Sequence, residues 1–272
     1  CMALEAIRSL VSEDLSATDH FIISELQSNI PLIKQVIEYL LSCGGKRVRP
    51  LILLLAARAM TDEQRHTAIE LAAVVELVHS ATLLHDDVVD GSTLRRGHKT
   101  AHVIWGGDTS VLVGDFLYSR AFQIIAGIKH PSVLEVFAKA THFMAEGEIM
   151  QLINRNNPDT TETFYFDVIE RKTARLFQIS TELAGLVATQ HPDYVHALRD
   201  YGRNLGLAYQ LIDDALDYNQ TPEMTGKNVG QDLADGKTTL PLIFAMKHSR
   251  GKDLDYLRKA IETGESRHLQ KI

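Results

Sequence analysis

Apolar residues recur at three- and four-residue spacings through Leu32–Leu41, Ile69–Leu84, Val111–Ile125, Val133–Leu152, Val168–Val187 and Leu198–Leu216. That is the period of an amphipathic α-helix. No segment alternates apolar and polar residues for long enough to argue a strand. The seven prolines punctuate the pattern. Pro50, Pro131, Pro192 and Pro241 fall near expected helix starts, where a missing N–H costs little, and Pro31, Pro158 and Pro222 lie in or beside loops. Connections are short, with no low-complexity linker and no short-period repeat. The pattern predicts an all-α chain, 1–272 as a single domain, folded as an antiparallel bundle of roughly ten helices.

Composition narrows the class. The 272 residues are 45% apolar and 23% charged, as in an ordinary soluble globular protein. A net charge of −7 argues against a nucleic-acid partner, but an acidic protein can still bind polyanions where divalent cations mediate. The two cysteines, Cys1 and Cys43, form no CxxC pair, which fits a reducing cytoplasm. Cys1 ahead of Met2 reads as an addition to the native start. The apolar run Leu51–Ala57 is far too short to span a bilayer, and no signal peptide is seen, so a cytoplasmic location is expected.

Two aspartate clusters carry the first chemical signal. Asp86-Asp87-Val88-Val89-Asp90 has the pattern DDxxD, and Asp213-Asp214-Ala215-Leu216-Asp217 repeats it on a different helix. At about 100° per residue, Asp86 and Asp90 fall within ~40° of each other, one turn apart, and so do Asp213 and Asp217. Like charges at this spacing repel, and apolar neighbours make the repulsion worse. A hard cation removes the problem, and Mg²⁺ takes one or two carboxylates together with water and phosphate oxygens. A single DDxxD would fit an acidic helix end in solvent equally well; two, each after an apolar helix, favour metal binding. On the same dial His79 lies near ~20° from Asp86 and Thr82 near ~−40°. Gln210 shares a face with the second cluster.

Basic motifs add an anion. Gly44-Gly45-Lys46-Arg47-Val48-Arg49-Pro50 packs three cations between a glycine pair and a helix start, a sound phosphate site. Arg95-Arg96 follows the first aspartate cluster, Lys172-Thr173 lies in a helical stretch, and Gly226-Lys227 and Gly236-Lys237 follow the second. Any one pair could be a solvated surface patch. All of them around two acidic metal motifs point to a diphosphate.

The ordered set GGKRVRP, DDVVDGSTLRRG, KTARL, GLAYQLIDDALD and GKNVGQDLADGKTTLP closely resembles the trans-isoprenyl (polyprenyl) diphosphate synthases, from about Ala6 to His268. Members of that family usually continue for several more helices, so a chain ending at Ile272 is expected to lack the C-terminal ones. The resemblance implies an isoprenoid-synthase bundle around a central catalytic cavity, and a homodimer. It implies that Lys46, Arg49, His79 and Arg96 hold isopentenyl diphosphate. Arg95, Lys172, Lys227 and Lys237 would grip an allylic diphosphate, with Thr173 and Gln210 beside the reacting carbon and Lys172 contributing to catalysis. Asp86, Asp90 and Asp213 would ligate roughly three Mg²⁺ ions, supported by Asp87, Asp214 and Asp217. Asp115 and Gln151 are further pocket candidates.

The implied reaction ionises the allylic C–O bond, adds isopentenyl diphosphate to the cation and loses a proton, with farnesyl diphosphate as expected starter. Repeated cycles would give a long all-trans chain of octaprenyl length for quinone side chains. In this family bulky residues four or five positions before the first motif stop the tail early; here those positions are the small Thr82 and Ala81. They lie only ~6–8 Å below the metal end. A farnesyl or geranylgeranyl diphosphate synthase is the shorter-chain alternative. An HD-type metal phosphohydrolase using His79, His85 and Asp86 is a rival with no use for the second DDxxD or for GGKRVRP. A regulatory subunit would be expected to lose an aspartate cluster, and both are intact.

Overall fold

The computed structural model describes residues 2–189, 191–219 and 230–265. The architecture is all-α. In chain order the helices are α1 (Met2–Ser9), α2 (Ser12–Glu25), α3 (Pro31–Ser42), α4 (Val48–Met60), α5 (Arg65–Val89), α6 (Ala101–Trp105), α7 (Gly107–Gly127), α8 (Pro131–Ile153), α9 (Glu162–Ile169), α10 (Arg175–Ala188) and α11 (Pro192–Asn219). Short helices Gln231–Ala234, Leu240–His248 and Gly251–Thr263 follow. Every periodic segment of the sequence falls on one of these except Val168–Val187. That run is broken by a π-helical turn, Glu170–Ala174, between α9 and α10.

Helix starts follow from local chemistry. Pro31, Pro131 and Pro192 are first residues, and Pro241 is the second residue of its helix. At α9 the Thr161 side chain accepts a hydrogen bond from the Phe164 N–H at 3.2 Å, satisfying one of the orphan donors of the first turn. Among the described residues the only strands form a two-residue antiparallel ladder, Leu94–Arg95 with His98–Lys99. Its turn residues Arg96 and Gly97 have φ of 53° and 79°, the left-handed pair that matches strand twist in a tight hairpin. Alternation over two residues is too short to leave a periodic signal.

The chain divides into two compact units, residues 1–139 with 176–202, and residues 140–175 with 203–272. In the first, α5 is central and packs against α7, α4 and α2. Every residue of α5 from Leu71 to Val78 is buried, so this helix is apolar nearly all round, the mark of a core helix. It is also long and apolar enough to cross a membrane by length and composition, but 67% of the relevant window is buried within the fold. Leu53, Leu117, Ile125, Phe137 and Phe177 complete that core. The second unit has a smaller core of Leu233, Leu242 and Ile261, with Tyr218 and Met246 packed against it.

Candidate active site

The first aspartate motif lies where α5 ends. The Asp90 N–H donates to the Asp86 carbonyl at 2.8 Å, so the one-turn spacing of these two half-buried carboxylates survives at the helix end. The middle residue, Asp87, is different. It is 4% exposed, and Arg95 donates to it from Nε at 2.9 Å and from Nη2 at 2.7 Å. Burial raises its pKa, Asp86 adds to the rise, and Arg95 opposes it. The ladder after α5 thus returns Arg95 onto the aspartate motif.

The GGKRVRP segment forms the turn into α4. Lys46 is exposed, and its carbonyl accepts from Arg8 Nη1 at 2.7 Å. Arg49 Nη1 lies 3.2 Å from His79 Nε2, and its guanidinium stacks 4.6 Å above the Phe177 ring. Arg96 Nη1 donates to the Gly44 carbonyl. Gly44, Arg47, His79, Asp87, Arg95 and Arg96 line one cavity. The structure therefore brings Arg49, His79 and Arg96 together, beside Arg95 and Asp87. Burial pushes the His79 pKa well below its usual value, and Arg49, Arg96, Arg95 and Arg47 push it the same way. Because arginine only donates, Nε2 is the acceptor, and the ring proton resides on Nδ1.

His85, by contrast, turns toward α7. Its Nε2 is 3.1 Å from the Val111 carbonyl and 3.4 Å from Asp115. A Cβ on Gly114 would sit 2.3 Å from that nitrogen, so glycine is required there for the ring to fit. Asp115 thus meets His85. Ala81 is fully buried, and Thr82 is half-buried with its Oγ1 donating to the His79 carbonyl at 2.8 Å.

In the second unit Asp213 is exposed and Asp217 half-buried. Asp214, again the middle residue, is 4% exposed. Its Oδ1 accepts from Gln210 Nε2 at 2.6 Å, and its Oδ2 accepts from the Tyr165 hydroxyl. Gln210 Oε1 in turn accepts from Thr173 Oγ1 at 2.8 Å, so the chain Tyr165–Asp214–Gln210–Thr173 is continuous. Burial raises the Asp214 pKa, against the two donated hydrogen bonds, and Asp213 and Asp217 add to the rise. Asp217 accepts from the Asp232 N–H at 3.0 Å.

Lys172 projects from the π turn and donates to Glu148 at 2.5 Å and to Gln151 at 2.9 Å. Gly147 makes this possible: a Cβ there would meet Arg171 Cβ at 2.7 Å and the Lys172 backbone N at 3.0 Å. Gln151 therefore lies beside Lys172. Lys237 reaches Asp235 at 3.3 Å. Lys227 lies outside the described residues.

The donor set suits a hard divalent cation. Each motif offers two carboxylates one turn apart, and the middle carboxylate is already satisfied by protein donors. Among the described residues no three His, Cys, Asp or Glu side chains converge into a self-contained cage, and Mg²⁺ needs none, since phosphate and water complete its shell. Glu148 and Tyr165 carry no signal in the sequence. Their roles come from partners on other helices, and no local motif announces them.

An all-α chain with two DDxxD helices and arginine-rich anion pockets belongs to the class of metal-assisted diphosphate enzymes. A family model for polyprenyl synthetase matches residues 30–272. The octaprenyl diphosphate synthase of Escherichia coli (strain K12) is 49% identical over 268 residues, 98% of this chain and 83% of that protein. Among solved structures, a polyprenyl synthase from Caulobacter crescentus CB15, complexed with calcium and isoprenyl diphosphate, superposes with a TM-score of 0.93 at 42% identity, covering 98% of this chain and 82% of that one. A decaprenyl diphosphate synthase from Rhodobacter capsulatus gives 0.91 at 39% identity, covering 98% and 83%. The chain belongs to the polyprenyl synthetase family and is a trans-prenyltransferase.

The lowered pKa of His79 has a consequence for stability. Below about pH 6.5 the unfolded chain takes up a proton that folded His79 refuses, so stability falls as pH falls, by up to ~1.4 kcal/mol per pH unit. Urea unfolding at pH 7 and pH 5.5 should show this loss in the parent and a shallower loss in His79→Gln. Equal slopes in the two proteins would contradict the buried, neutral imidazole.

Proposed function

We propose that the chain condenses an allylic diphosphate, with farnesyl diphosphate as starter, with successive isopentenyl diphosphates to a long all-trans polyprenyl diphosphate of octaprenyl length, serving quinone side chains in the cytoplasm. The observation that carries this reading is the shared cavity in which His79 and Arg96 stand beside the Asp87–Arg95 pair, with Arg49 held against His79 at 3.2 Å. An anion cradle and an aspartate metal motif on one wall are what two diphosphate substrates require.

In this reading residues 1–272 act as one polyprenyl synthase domain. Lys46, Arg49, His79 and Arg96 bind isopentenyl diphosphate. Neutral His79 keeps Nδ1–H as a donor, and Arg49 and Arg96 supply charge-assisted contacts. Lys172, Arg95, Lys227 and Lys237 hold the allylic diphosphate. Asp86, Asp90 and Asp213 would hold Mg²⁺, which when bound supplies Lewis-acid stabilisation of the leaving diphosphate. Thr173 and Gln210 present oriented dipoles near the allylic carbon, and the hydrogen-bond chain through Asp214 to Tyr165 fixes which end of the Gln210 amide faces Thr173. Apolar walls exclude water from the carbocation. The isopentenyl double bond attacks that carbon, and the proton lost from the adduct leaves with the departing diphosphate.

The small residues Ala81 and Thr82 favour a long product over the farnesyl or geranylgeranyl alternative. A homodimer is supported by exposed Val103, Ile104, Val111, Leu112 and Phe122 on α6 and α7, an apolar surface of the kind that marks an interface.

The direct test is incubation with farnesyl diphosphate and labelled isopentenyl diphosphate, with chromatography of the products. Asp86→Ala and Asp213→Ala should each reduce turnover at least ~10³-fold at saturating Mg²⁺ while circular dichroism stays unchanged, on the scale of losing one major transition-state contact; a loss of only a few-fold would remove these residues from the metal site. Thr82→Phe should shorten the products to roughly C15–C20, since the ring lies about one turn below the aspartates. Ala81→Tyr should do likewise, but at a packing cost of ~1–3 kcal/mol because that site is fully buried. An unchanged long-chain distribution in both would show that the tail runs elsewhere. Leu112→Glu should convert dimer to monomer in light scattering, and a parental mass for that variant would exclude this face as the interface.

A further inference from the structure

The arginine-rich turn contains one cation that the proposed chemistry does not use. Arg47 lies between Lys46 and Arg49, yet its side chain is only 18% exposed. Its Nε donates to Asp19 on α2 at 3.1 Å, and its Nη1 donates to Glu76 on α5 at 2.5 Å. Glu76 is 6% exposed, in the middle of the buried stretch of α5, and it precedes His79 by about one turn.

The backbone at Arg47 is also unusual. It caps α4 with φ 49° and ψ 36°, a left-handed conformation that residues with a Cβ seldom adopt. Such a conformation persists only where the surroundings hold it. The surroundings here are the two carboxylates. Burial works against the Arg47 charge, but Glu76 and Asp19 outweigh it and raise the pKa. On one side the pair also borders an apolar cavity lined by Ile22, Leu26, Ile37 and Leu117.

We propose that Arg47 and Glu76 are positioning residues for isopentenyl diphosphate: their ion pair clamps the left-handed turn, and the turn sets the direction in which Lys46 and Arg49 leave it. The clamp is anchored on the same helix that carries His79, so one element fixes both sides of the anion cradle. This rests on the assignment of Lys46, Arg49 and His79 to that substrate. Arg47 and Glu76 border the same cavity, but their role is exerted through the contacts they make with each other and with Asp19; a displacement of the cations by a fraction of an ångström is what their loss would cause.

The test separates positioning from mere packing. Arg47→Met/Glu76→Met replaces a buried pair by apolar side chains of similar volume, a change that often preserves stability. The KM for isopentenyl diphosphate should rise at least ten-fold in this variant, equivalent to ~1.4 kcal/mol, while the KM for farnesyl diphosphate and kcat stay within two-fold. Glu76→Gln, which keeps shape and one acceptor, should move the same constant in the same direction by about three-fold or more, and serves if the double variant does not fold. Arg47→Lys, keeping the charge, should fall between parent and double variant. A folded variant with parental KM for isopentenyl diphosphate, or an equal rise for both substrates, overturns the proposal alone, because the parent then still elongates and binds isopentenyl diphosphate in calorimetry. A parent that neither elongates nor binds it would overturn the functional reading, and this inference with it.

Discussion

Helix α5 is surrounded by protein from Leu71 to Val78, and a charge at its centre is tolerable only if a partner meets it there. Glu76 is that charge, and Arg47 is the partner. The consequence spreads in both directions along the helix. Toward its C-terminus α5 must deliver His79 to the anion cavity and Asp86 and Asp90 to the helix end. A helix packed on all sides cannot rotate or slide to accommodate a ligand, so these groups are held in register by the core. The cations on α4 are tied to that same core through Arg47. Packing, ion pairing and substrate geometry in the first unit therefore share one axis.

The two aspartate motifs solve a common electrostatic problem in the same manner. Three carboxylates within five residues repel each other, and burial adds to the cost. In each motif the middle residue is taken out of play: Arg95 compensates Asp87, and Tyr165 and Gln210 compensate Asp214. The compensation uses a full charge in one case and two neutral donors in the other. In both motifs burial is the larger influence and leaves the middle carboxyl with a raised pKa in spite of those donors. Each motif also carries a pair of carboxylates one turn apart, the number Mg²⁺ takes from protein when phosphate oxygens complete its shell.

Much of this is legible in the sequence, and the division follows the range of the interactions. The helices, most of their proline starts and the all-α class are local properties, read from period and from Pro131, Pro192 and Pro241, whereas Pro31, expected in or beside a loop, opens α3. The DDxxD and GGKRVRP motifs are local too. Legibility ends where a residue's role is set by a distant partner. In sequence Arg47 looks like a third phosphate ligand, because nothing nearby shows Asp19 and Glu76 waiting for it. The protein partners of Asp87 and Asp214 are hidden for the same reason, because Arg95 is eight residues away and Tyr165 forty-nine. The π turn at Glu170–Ala174 reads as continuous helix, since apolar residues recur at helical spacings on both sides of it and a single wider turn has no sequence motif of its own. Gly147 is its only trace in the sequence, and that glycine explains itself only once Arg171 is seen beside it.

Histidine geometry decides between carbon–carbon bond formation and the hydrolytic rival. A His/Asp metal centre needs imidazole nitrogens converging on a cation with Asp86. His85 directs Nε2 to the Val111 carbonyl, away along α7. His79 gives its Nε2 to Arg49 at 3.2 Å. A lone pair that accepts from guanidinium is not available to a metal, and a fixed positive charge at that distance would repel a divalent ion by several kcal/mol even at an effective dielectric of ~20. Neither ring can therefore serve as a ligand without dismantling its present contacts. The imidazole of His79 suits the opposite role. Neutral, with its remaining proton on Nδ1, it can donate to an anion that the neighbouring arginines attract. In the proposed site a metal would be held by carboxylate oxygens, and a hard cation so placed suits the departure of a diphosphate, with no protein nucleophile needed.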